Sequence, residues 1–339
     1  MPSAWWNAGL PVKLPSFQGS GTCTAASMCC VIELQSVAKT FDGGVQALCD
    51  VSFSVPAGSV CALLGHNGAG KTTAVNILST LIRPTSGRAM VAGYDVATKP
   101  ALIRQNIGAT GQLASLDWQL TGRENLALFG RLRGLRRKDA QQRAQVLIEQ
   151  FDMGHAADRK VLTYSLGMLR RIDIAVSLVV TPKVLFLDEP TTGLDPISRR
   201  DVWNLVSSLS AQGVTVLLTT QYLEEADVLS DSIVVLDHGR VVASGTAESL
   251  KRSVGVTYCT VSPVDPENLS AILAAVADLG EAHADQQENT VSVPAPNGVV
   301  TLSEVIRRTD QLGIELEDIS LRKPSLDEVF FHLTASVTG

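Results

Sequence analysis

The feature that most constrains the fold of this chain is a glycine-rich loop between an apolar strand and a helix. Residues 65–72 read GHNGAGKT and match the pattern G-x-x-x-x-G-K-[ST]. The apolar run Val60–Leu64 predicts a buried strand before the loop, and Thr73–Leu81 predicts a helix after it. Glycines let backbone N–H groups face phosphate oxygens, and the helix N-terminus adds partial positive charge. The residues predicted to surround the phosphates are Gly65, His66, Asn67, Gly68, Ala69, Gly70, Lys71, Thr72 and Thr73.

Two side chains of this loop have the chemistry that Mg²⁺-ATP requires. Lys71 can reach the β- and γ-phosphates, and the Thr72 hydroxyl can ligate Mg²⁺. The alternative is a glycine-rich turn with a chance lysine, but the strand–loop–helix context favours the phosphate loop. The sequence therefore predicts ATP and Mg²⁺ as cofactors.

A pair of carboxylates at the end of a second apolar run adds a means of hydrolysis. Val184–Leu187 is followed directly by Asp188 and Glu189. A strand of a parallel sheet delivers such acids to the carboxyl edge, beside the phosphate loop. Asp188 can accept from a water molecule that coordinates Mg²⁺, and Glu189 can polarise the attacking water as a general base. Alone, the pair is as well explained by solvated acids that end a strand.

The rest of the pattern predicts a large α/β domain followed by a small α+β domain. Within residues 31–253, apolar runs alternate with helices, as in a sheet covered by helices on both faces. Residues 100–180 are mostly helical and polar, which indicates a helical subdomain inserted into the sheet domain. Residues 254–339 predict a separate accessory domain. Its predicted strands are Thr257–Val264, Thr290–Val293 and Ile314–Leu321, and its predicted helices are Pro266–Leu279, Leu302–Leu312 and Ser325–Leu333.

Composition excludes several classes of function. A net charge of −6 over 339 residues argues against a general nucleic-acid binder. The best apolar run, Ile174–Val180, is far shorter than the roughly 18 residues of a membrane-spanning helix. The cysteines form no CxxC pair, which favours reduced thiols in the cytoplasm. Residues 1–30, rich in Gly, Ser, Pro and Ala, predict a flexible leader.

Further motifs resemble those of the ATP-binding-cassette (ABC) ATPases, a branch of the P-loop NTPases. The segment Tyr164–Met168 stands where the family carries its signature, and Thr192–Asp195 looks like its D-loop. Gln112 occupies the position of the Gln loop, and Phe41 matches the aromatic residue that stacks on adenine. These motifs follow the family order over residues 31–250, so the resemblance is specific. It implies a cassette with a helical insert.

The resemblance also implies how the site is completed. In this family two cassettes close head to tail and sandwich two ATP molecules. Ser165 and Gly167 would then donate to the γ-phosphate bound by the partner cassette, and Asp195 would lie at the same seam. Gln112 would act as a hinge and sense Mg²⁺. Gln221 stands where many cassettes place a histidine on the γ-phosphate, and it can donate a hydrogen bond there without carrying a charge.

Two segments narrow the resemblance to exporter ATPases of the daunorubicin-resistance type. They are Thr219–Asp227, just after an apolar strand, and Lys323–Phe330 in the accessory domain. In that group the permease is a separate chain. The resemblance thus implies a peripheral subunit on the cytoplasmic face of the membrane that powers efflux of drugs or hydrophobic compounds. Its partners would be the permease and a second cassette, either a copy of this chain or a paired one.

Leu166 is the main departure from the family pattern, because most members have glycine there. Glycine allows the backbone to approach the γ-phosphate, whereas leucine would hold the cassettes slightly apart. A misplacement of about 1 Å can cost on the order of a hundredfold in rate. One interpretation is reduced activity, and the other is a loop that tolerates leucine with its side chain turned outward.

Two other functions compete with the exporter ATPase. The first is a catalytically degenerate nucleotide-binding partner of a second cassette, which Leu166 supports and Lys71, Asp188 and Glu189 oppose. The second is a cassette ATPase that acts on ribosomes or DNA. The single cassette, the acidic charge and the lack of long coiled-coil heptads argue against it.

Overall fold

The computed structural model describes residues 30–111, 116–254, 257–286 and 288–322, together with Leu326 and Phe330. The predicted leader, apart from Cys30, and the predicted Gln-loop residue Gln112 lie outside these residues. In chain order the first ten strands are β1 Cys30–Thr40, β2 Gln46–Pro56, β3 Val60–Leu64, β4 Ser86–Val91, β5 Tyr94–Asp95, β6 Ile107–Thr110, β7 Val184–Asp188, β8 Thr215–Thr220, β9 Ser232–Asp237 and β10 Arg240–Gly245. The accompanying helices are α1 Lys71–Leu78, α2 Pro100–Asn106, α3 Gly122–Leu132, α4 Arg137–Gln150, α5 Leu166–Ser177, α6 Pro196–Ala211, α7 Leu223–Leu229 and α8 Ala247–Val254.

The central sheet has six strands in the order β10-β9-β3-β8-β7-β6. All neighbours are parallel except β10, which runs antiparallel to β9 at the edge. Strands β3, β7 and β8 are buried along their whole length, as their continuous apolar runs predict for a sheet covered on both faces. In register, Leu64 pairs with Thr220 and Asp188 with Thr219, so the carboxyl ends of β3, β7 and β8 meet at one edge.

Side chains of the central sheet alternate between two apolar cores. In β3, Ala62 and Leu64 belong to one core, and Cys61 and Leu63 belong to the other. The second core also contains residues of β1, β2 and α1. Strands β1 and β2 lie in a four-stranded antiparallel sheet of order β2-β1-β4-β5. The phosphate loop is therefore held between a rigid strand and a helix that packs beneath the second sheet.

The segment predicted to be mostly helical contains one strand of the central sheet. Within residues 100–180, strand β6 pairs with β7, because Ile107 and Thr110 of this short apolar run are buried. Helices α3, α4 and α5 follow it. Helix α3 begins with a capping box, in which the Thr121 side chain accepts from the Glu124 N–H and the Glu124 carboxylate accepts from the Thr121 N–H. Helix α5 begins at Leu166, with Ser165 as its N-cap, and ends within the apolar run Ile174–Val180.

The accessory domain is a four-stranded antiparallel sheet with helices on it. Its elements are β11 Tyr258–Pro263, α9 Leu269–Val276, β12 His283–Asp285, β13 Thr290–Pro294, α10 Val299–Gln311 and β14 Leu316–Arg322. The order is β12-β13-β11-β14, and all pairs are antiparallel. The three predicted strands are present, and the exposed strand β12 is additional. The predicted helix Ser325–Leu333 falls on residues of which only two are described.

Two described residues beyond the accessory sheet pack with the core of the first domain. Leu326 is 3% exposed and belongs to the same apolar core as Leu250 in α8, and Phe330 packs against that core. The accessory domain has its own core, which contains Cys259, Ile272 and Val305. In the part of the chain that the structure describes, no helix combines the length and apolarity needed to cross a membrane.

Candidate nucleotide-binding and hydrolysis site

The phosphate loop connects the end of β3 to the start of α1, as the sequence predicts. Gly68 has φ +85° and Gly70 has φ +107°, in the left-handed region that glycine adopts without strain. A Cβ on Gly70 would lie 2.7 Å from the Ala47 carbonyl oxygen, so this position admits no side chain. Gly70 is also the N-cap residue of α1, so the helix N-terminus, whose first N–H groups have no partner within a helix, lies at the loop.

Lys71 is buried, and its ammonium group is held inside the loop. Its Nζ donates to the carbonyl oxygens of Gly65 at 2.7 Å and His66 at 3.1 Å. Burial lowers the pKa of Lys71, while the Glu189 and Asp188 carboxylates act in the opposite direction. The Glu189 carboxylate is 3.9 Å from Nζ. The amine therefore lies between the loop that receives phosphates and the carboxylate at the end of β7.

Asp188 and Thr72 form a pair of oxygen donors. Thr72 Oγ1 lies 3.4 and 3.3 Å from the two carboxylate oxygens of Asp188, which is buried. Thr219 Oγ1 donates to Asp188 at 2.5 Å from the neighbouring strand β8 and fixes the carboxylate. A hydroxyl and a carboxylate are hard ligands of the kind that Mg²⁺ prefers, so these residues fit the ion. Thr219 had no assigned role in the sequence analysis, although its place beside the end of β7 follows from a parallel sheet.

Glu189 has a left-handed backbone conformation at the end of β7, with φ +47°. Its N–H donates to Thr219 Oγ1 at 3.0 Å, and its carbonyl oxygen accepts from Arg170 Nη2 at 3.0 Å. On the side chain, Thr192 Oγ1 donates to Oε2 at 3.2 Å. These contacts fix the direction of a carboxylate that faces Lys71 and the phosphate loop.

A cleft joins these groups. Its volume is about 380 Å³, and it brings the phosphate loop together with the carboxylate at the end of β7. The lining residues are Ala47, Asn67, Gly68, Gly70, Lys71, Thr72, Thr73 and Glu189. The cleft thus contains most of the predicted phosphate-binding residues.

Two other predicted residues lie near this edge. Gln221 directly follows β8, whose last residues pair with the ends of β3 and β7, and its side chain is half-buried. Phe41 follows β1 in the hairpin that leads to Ala47, and its ring is exposed with Lys39 Nζ 5.1 Å from the ring centre. The ring of His66 contacts the end of β9, where its Nε2 lies 2.8 Å from Asp237 Oδ1.

The predicted signature and D-loop residues form a second group on the adjacent helices. Ser165 is the N-cap of α5, and its hydroxyl accepts from the Met168 N–H. Asp195 is the N-cap of α6 and accepts from the N–H and the hydroxyl of Ser198. A Cβ on Gly167 would lie 2.7 Å from Ser198 Oγ, so the first turns of α5 and α6 are in close contact. Within one chain, Ser165 and Asp195 thus serve as helix N-caps.

Comparison with known proteins decides the family. Residues 48–192 match the family described as ABC transporter, and residues 245–334 match the C-terminal domain of DrrA1-3-like ATP-binding proteins. The chain is 52% identical over 312 residues to the doxorubicin resistance ATP-binding protein DrrA of Mycobacterium tuberculosis, covering 91% of this chain and 94% of the relative. The chain belongs to the ABC transporter ATP-binding proteins of the drug-resistance type. It is therefore an ATPase and the ATP-binding subunit of an ABC exporter.

Other relatives agree with this assignment to the ABC family. The chain is 51% identical over 299 residues to the daunorubicin resistance ATP-binding protein DrrA2 of Streptomyces coeruleorubidus, covering 87% of this chain and 92% of the relative. A solved dimeric structure of a post-hydrolysis ATP-binding cassette with ADP and phosphate is 25% identical and has a TM-score of 0.59, covering 63% of this chain and 98% of that one. These similarities confirm the predicted family and the P-loop NTPase cassette fold, and they give no support to a degenerate partner.

Proposed function

We propose that this ABC ATPase hydrolyses Mg²⁺-ATP in a head-to-tail dimer and thereby powers efflux of drugs or hydrophobic compounds through a separate permease. The observation that carries the proposal is the convergence of Lys71, Asp188 and Glu189 at one edge of the central sheet. The names of the relatives, which include doxorubicin and daunorubicin resistance proteins, supply the class of compound. The subunit would work as a peripheral protein on the cytoplasmic face of the membrane.

We assign roles in ATP binding and hydrolysis to six residues in and around the cleft. Lys71 exchanges its two carbonyl partners for β- and γ-phosphate oxygens when ATP enters. Thr72 and Asp188 would hold Mg²⁺, which neutralises charge on the phosphates when bound. Glu189 accepts a proton from the attacking water, and Gln221 donates a hydrogen bond to the γ-phosphate. Phe41 provides an exposed ring for adenine.

The signature and D-loop residues would act in the partner's site. Ser165 and Leu166 are exposed at the start of α5, where a second copy can approach them. Helix N-termini favour anions, and Ser165 and the Gly167 N–H would meet the γ-phosphate of the partner's ATP there. Asp195 accepts from Ser198, which lies against Gly167, and would reach the same seam, with Gln112 as the hinge to the permease. A paired second cassette in place of a copy would use the same surfaces.

The domain division is also proposed here. Residues 31–253 would form the cassette, with a helical subdomain at about 100–180, and residues 254–339 would form the accessory domain. The separate apolar core of the accessory sheet supports this division. Residues 1–30 would form a flexible leader.

The first test is Mg²⁺-dependent phosphate release from ATP by the purified chain. Removal of the general base in Glu189→Gln should lower turnover by about a hundredfold or more while ATP still binds. Glu224→Gln, an exposed carboxylate on α7, is the matched control and should keep wild-type turnover. Normal turnover in Glu189→Gln would refute the proposed role of Glu189.

A second test addresses the transported compound. In cells that express the chain with its permease, daunorubicin should accumulate less than in cells that express Glu189→Gln with the same permease. Equal accumulation would refute drug efflux and leave the ATPase chemistry intact.

A further inference from the structure

Arg170 connects three parts of the ATPase behind the catalytic cleft. It lies in α5, just after the signature, and only 12% of its side chain is exposed. Its Nη1 donates to the Gly111 carbonyl oxygen at 3.1 Å, after β6, and its Nη2 donates to the Glu189 carbonyl oxygen at 3.0 Å, after β7. Asp173 lies 3.8 Å from Nη1 and supplies the opposite charge. The guanidinium plane thus spans the ends of two neighbouring strands.

The carbonyl group that Arg170 holds belongs to a residue with a strained backbone. Glu189 has φ +47°. Residues with a Cβ rarely adopt this backbone conformation, so surrounding contacts must maintain it. Thr219 holds the N–H side of this residue, through its hydroxyl at 3.0 Å and its carbonyl oxygen at 3.2 Å. On the carbonyl side, the Thr192 N–H lies at 3.3 Å and the charged Arg170 donor is closer, at 3.0 Å. A charged donor makes the stronger hydrogen bond.

From this geometry we propose that Arg170 is a positioning residue for the general base. It keeps the Glu189 peptide in the left-handed conformation and so directs the carboxylate toward the attacking water. Among the residues that the structure describes, the hydrogen bonds of Arg170 reach the cleft lining at Glu189 alone, and there at the backbone carbonyl. It therefore acts on the rate of hydrolysis and not on nucleotide binding. The inference rests on the proposed role of Glu189 as the base.

A purely structural role would give a different result. An arginine that only anchors a helix to the sheet would, when removed, lower the stability and weaken nucleotide binding together with turnover. Arg143 offers a matched comparison, because its guanidinium also donates to two backbone carbonyls, Leu178 at 2.8 Å and Val179 at 3.2 Å. These carbonyls follow the far end of α5, away from Glu189.

The experiment compares Arg170→Met, Arg170→Lys and Arg143→Met with the full-length wild type. We expect kcat to fall by about tenfold or more in Arg170→Met, with KM and the Kd for ATP within about twofold of wild type. Arg170→Lys keeps one charged donor and should recover part of kcat. Arg143→Met should lower the melting temperature and leave kcat within about twofold.

Three results would overturn the inference. They are an unchanged kcat in Arg170→Met, a loss of ATP affinity in proportion to kcat, or an equal loss of kcat in Arg143→Met. If Arg170→Met does not fold, Arg170→Lys decides by the same criteria, because it preserves the charge. Glu189→Gln in the same assay separates the two proposals. Normal turnover in Glu189→Gln refutes the base, whereas normal turnover in Arg170→Met beside an inactive Glu189→Gln refutes only the positioning role.

Discussion

Leu166 is the first helical residue of α5, and its side chain is 52% exposed. A Cβ on Gly193, in the D-loop, would lie 3.1 Å from Leu166 Cδ2, so the leucine side chain covers this glycine. The backbone of α5 begins normally, with Ser165 as the N-cap. Leucine is thus accommodated within one chain. Its side chain, however, is exposed at the start of α5, the surface that the proposed dimer would place against the partner's nucleotide.

Removal of this side chain should make the ATPase faster. In Leu166→Gly we expect phosphate release to rise by roughly tenfold, within the hundredfold that a misplacement of about 1 Å can cost. Ile197→Gly is the control, because Ile197 is an exposed apolar residue in the first turn of α6. Steady-state phosphate release at saturating ATP measures both. Turnover equal to or below wild type in Leu166→Gly would show that leucine does not slow the reaction.

At the residue scale, sequence patterns predicted the groups proposed to bind nucleotide better than the residues that hold those groups in place. The phosphate loop and the acids at the end of β7 follow from short local motifs. Thr219 and Arg170 act on Asp188 and on a backbone carbonyl, and they come from other elements. Contacts of this kind depend on packing between distant segments, which spacing within one segment does not reveal.

At the scale of single elements, helix α7 contains an acid with an unexpected environment. From the sequence, Glu224 and Glu225 at its start would be expected to be exposed acids that cap the helix. Glu225 is instead fully buried, and its Oε1 accepts from Thr191 Oγ1 at 2.9 Å and Trp203 Nε1 at 3.3 Å. Burial raises the pKa of Glu225 above its ordinary value of 4.5. The carboxyl group ties α7 to α6 and to the segment after Glu189.

This environment predicts a pH-dependent stability. A carboxyl group with a raised pKa binds its proton more tightly in the folded state, so the protein loses stability as the pH rises from 4.5 through the raised value. In Glu225→Gln an amide oxygen still accepts from Thr191 and Trp203, and the titration is gone. We therefore expect the free energy of unfolding of wild type to fall relative to Glu225→Gln as the pH rises.

Denaturant unfolding from mildly acidic to neutral pH measures the difference. Glu224→Gln serves as the control, because this neighbouring carboxylate is largely exposed and should track wild type. A constant difference between wild type and Glu225→Gln over this range would contradict a buried, titrating Glu225.

The strands of the central sheet were predictable where burial on both faces leaves a continuous apolar run. Strand β6 was missed because it has only four residues and lies between helices, within a polar region. Strand β12 was missed because all three of its residues are exposed, so it has no alternation of apolar and polar side chains. Strands β6 and β12 are defined by their hydrogen bonds to a neighbouring strand. The residue pattern within one segment does not show which strand it will pair with.

At the scale of the whole molecule, the cassette and the accessory domain share apolar packing. Leu326 is 3% exposed in the cassette core, although it follows the last described strand of the accessory sheet. The family model for the C-terminal domain starts at residue 245 and so spans both α8 and Leu326. The predicted domain boundary at residue 254 gave no indication of this return to the cassette.

The shared packing predicts which unit loses stability when Leu326 is truncated. Leu326→Ala should destabilise the cassette by about 2–5 kcal/mol, as for other buried leucines. Because ATP stabilises the unit that binds it, the melting transition that ATP shifts identifies the cassette. We expect Leu326→Ala to lower that transition, and Ile272→Ala, in the accessory core, to lower the transition that ATP does not shift. The opposite assignment would place Leu326 energetically in the accessory domain.

The position of Leu326 also sets an order of assembly during synthesis. The ribosome delivers a chain from its N-terminus, so the accessory core, from Cys259 to Val305, emerges before Leu326. The accessory domain can therefore pack while the cassette core still lacks one of its leucines. Until Leu326 arrives, the apolar surface that it covers faces water and neighbouring nascent chains. Leu326, which is synthesised after the accessory sheet, thus completes the apolar core of the cassette, which is synthesised before it.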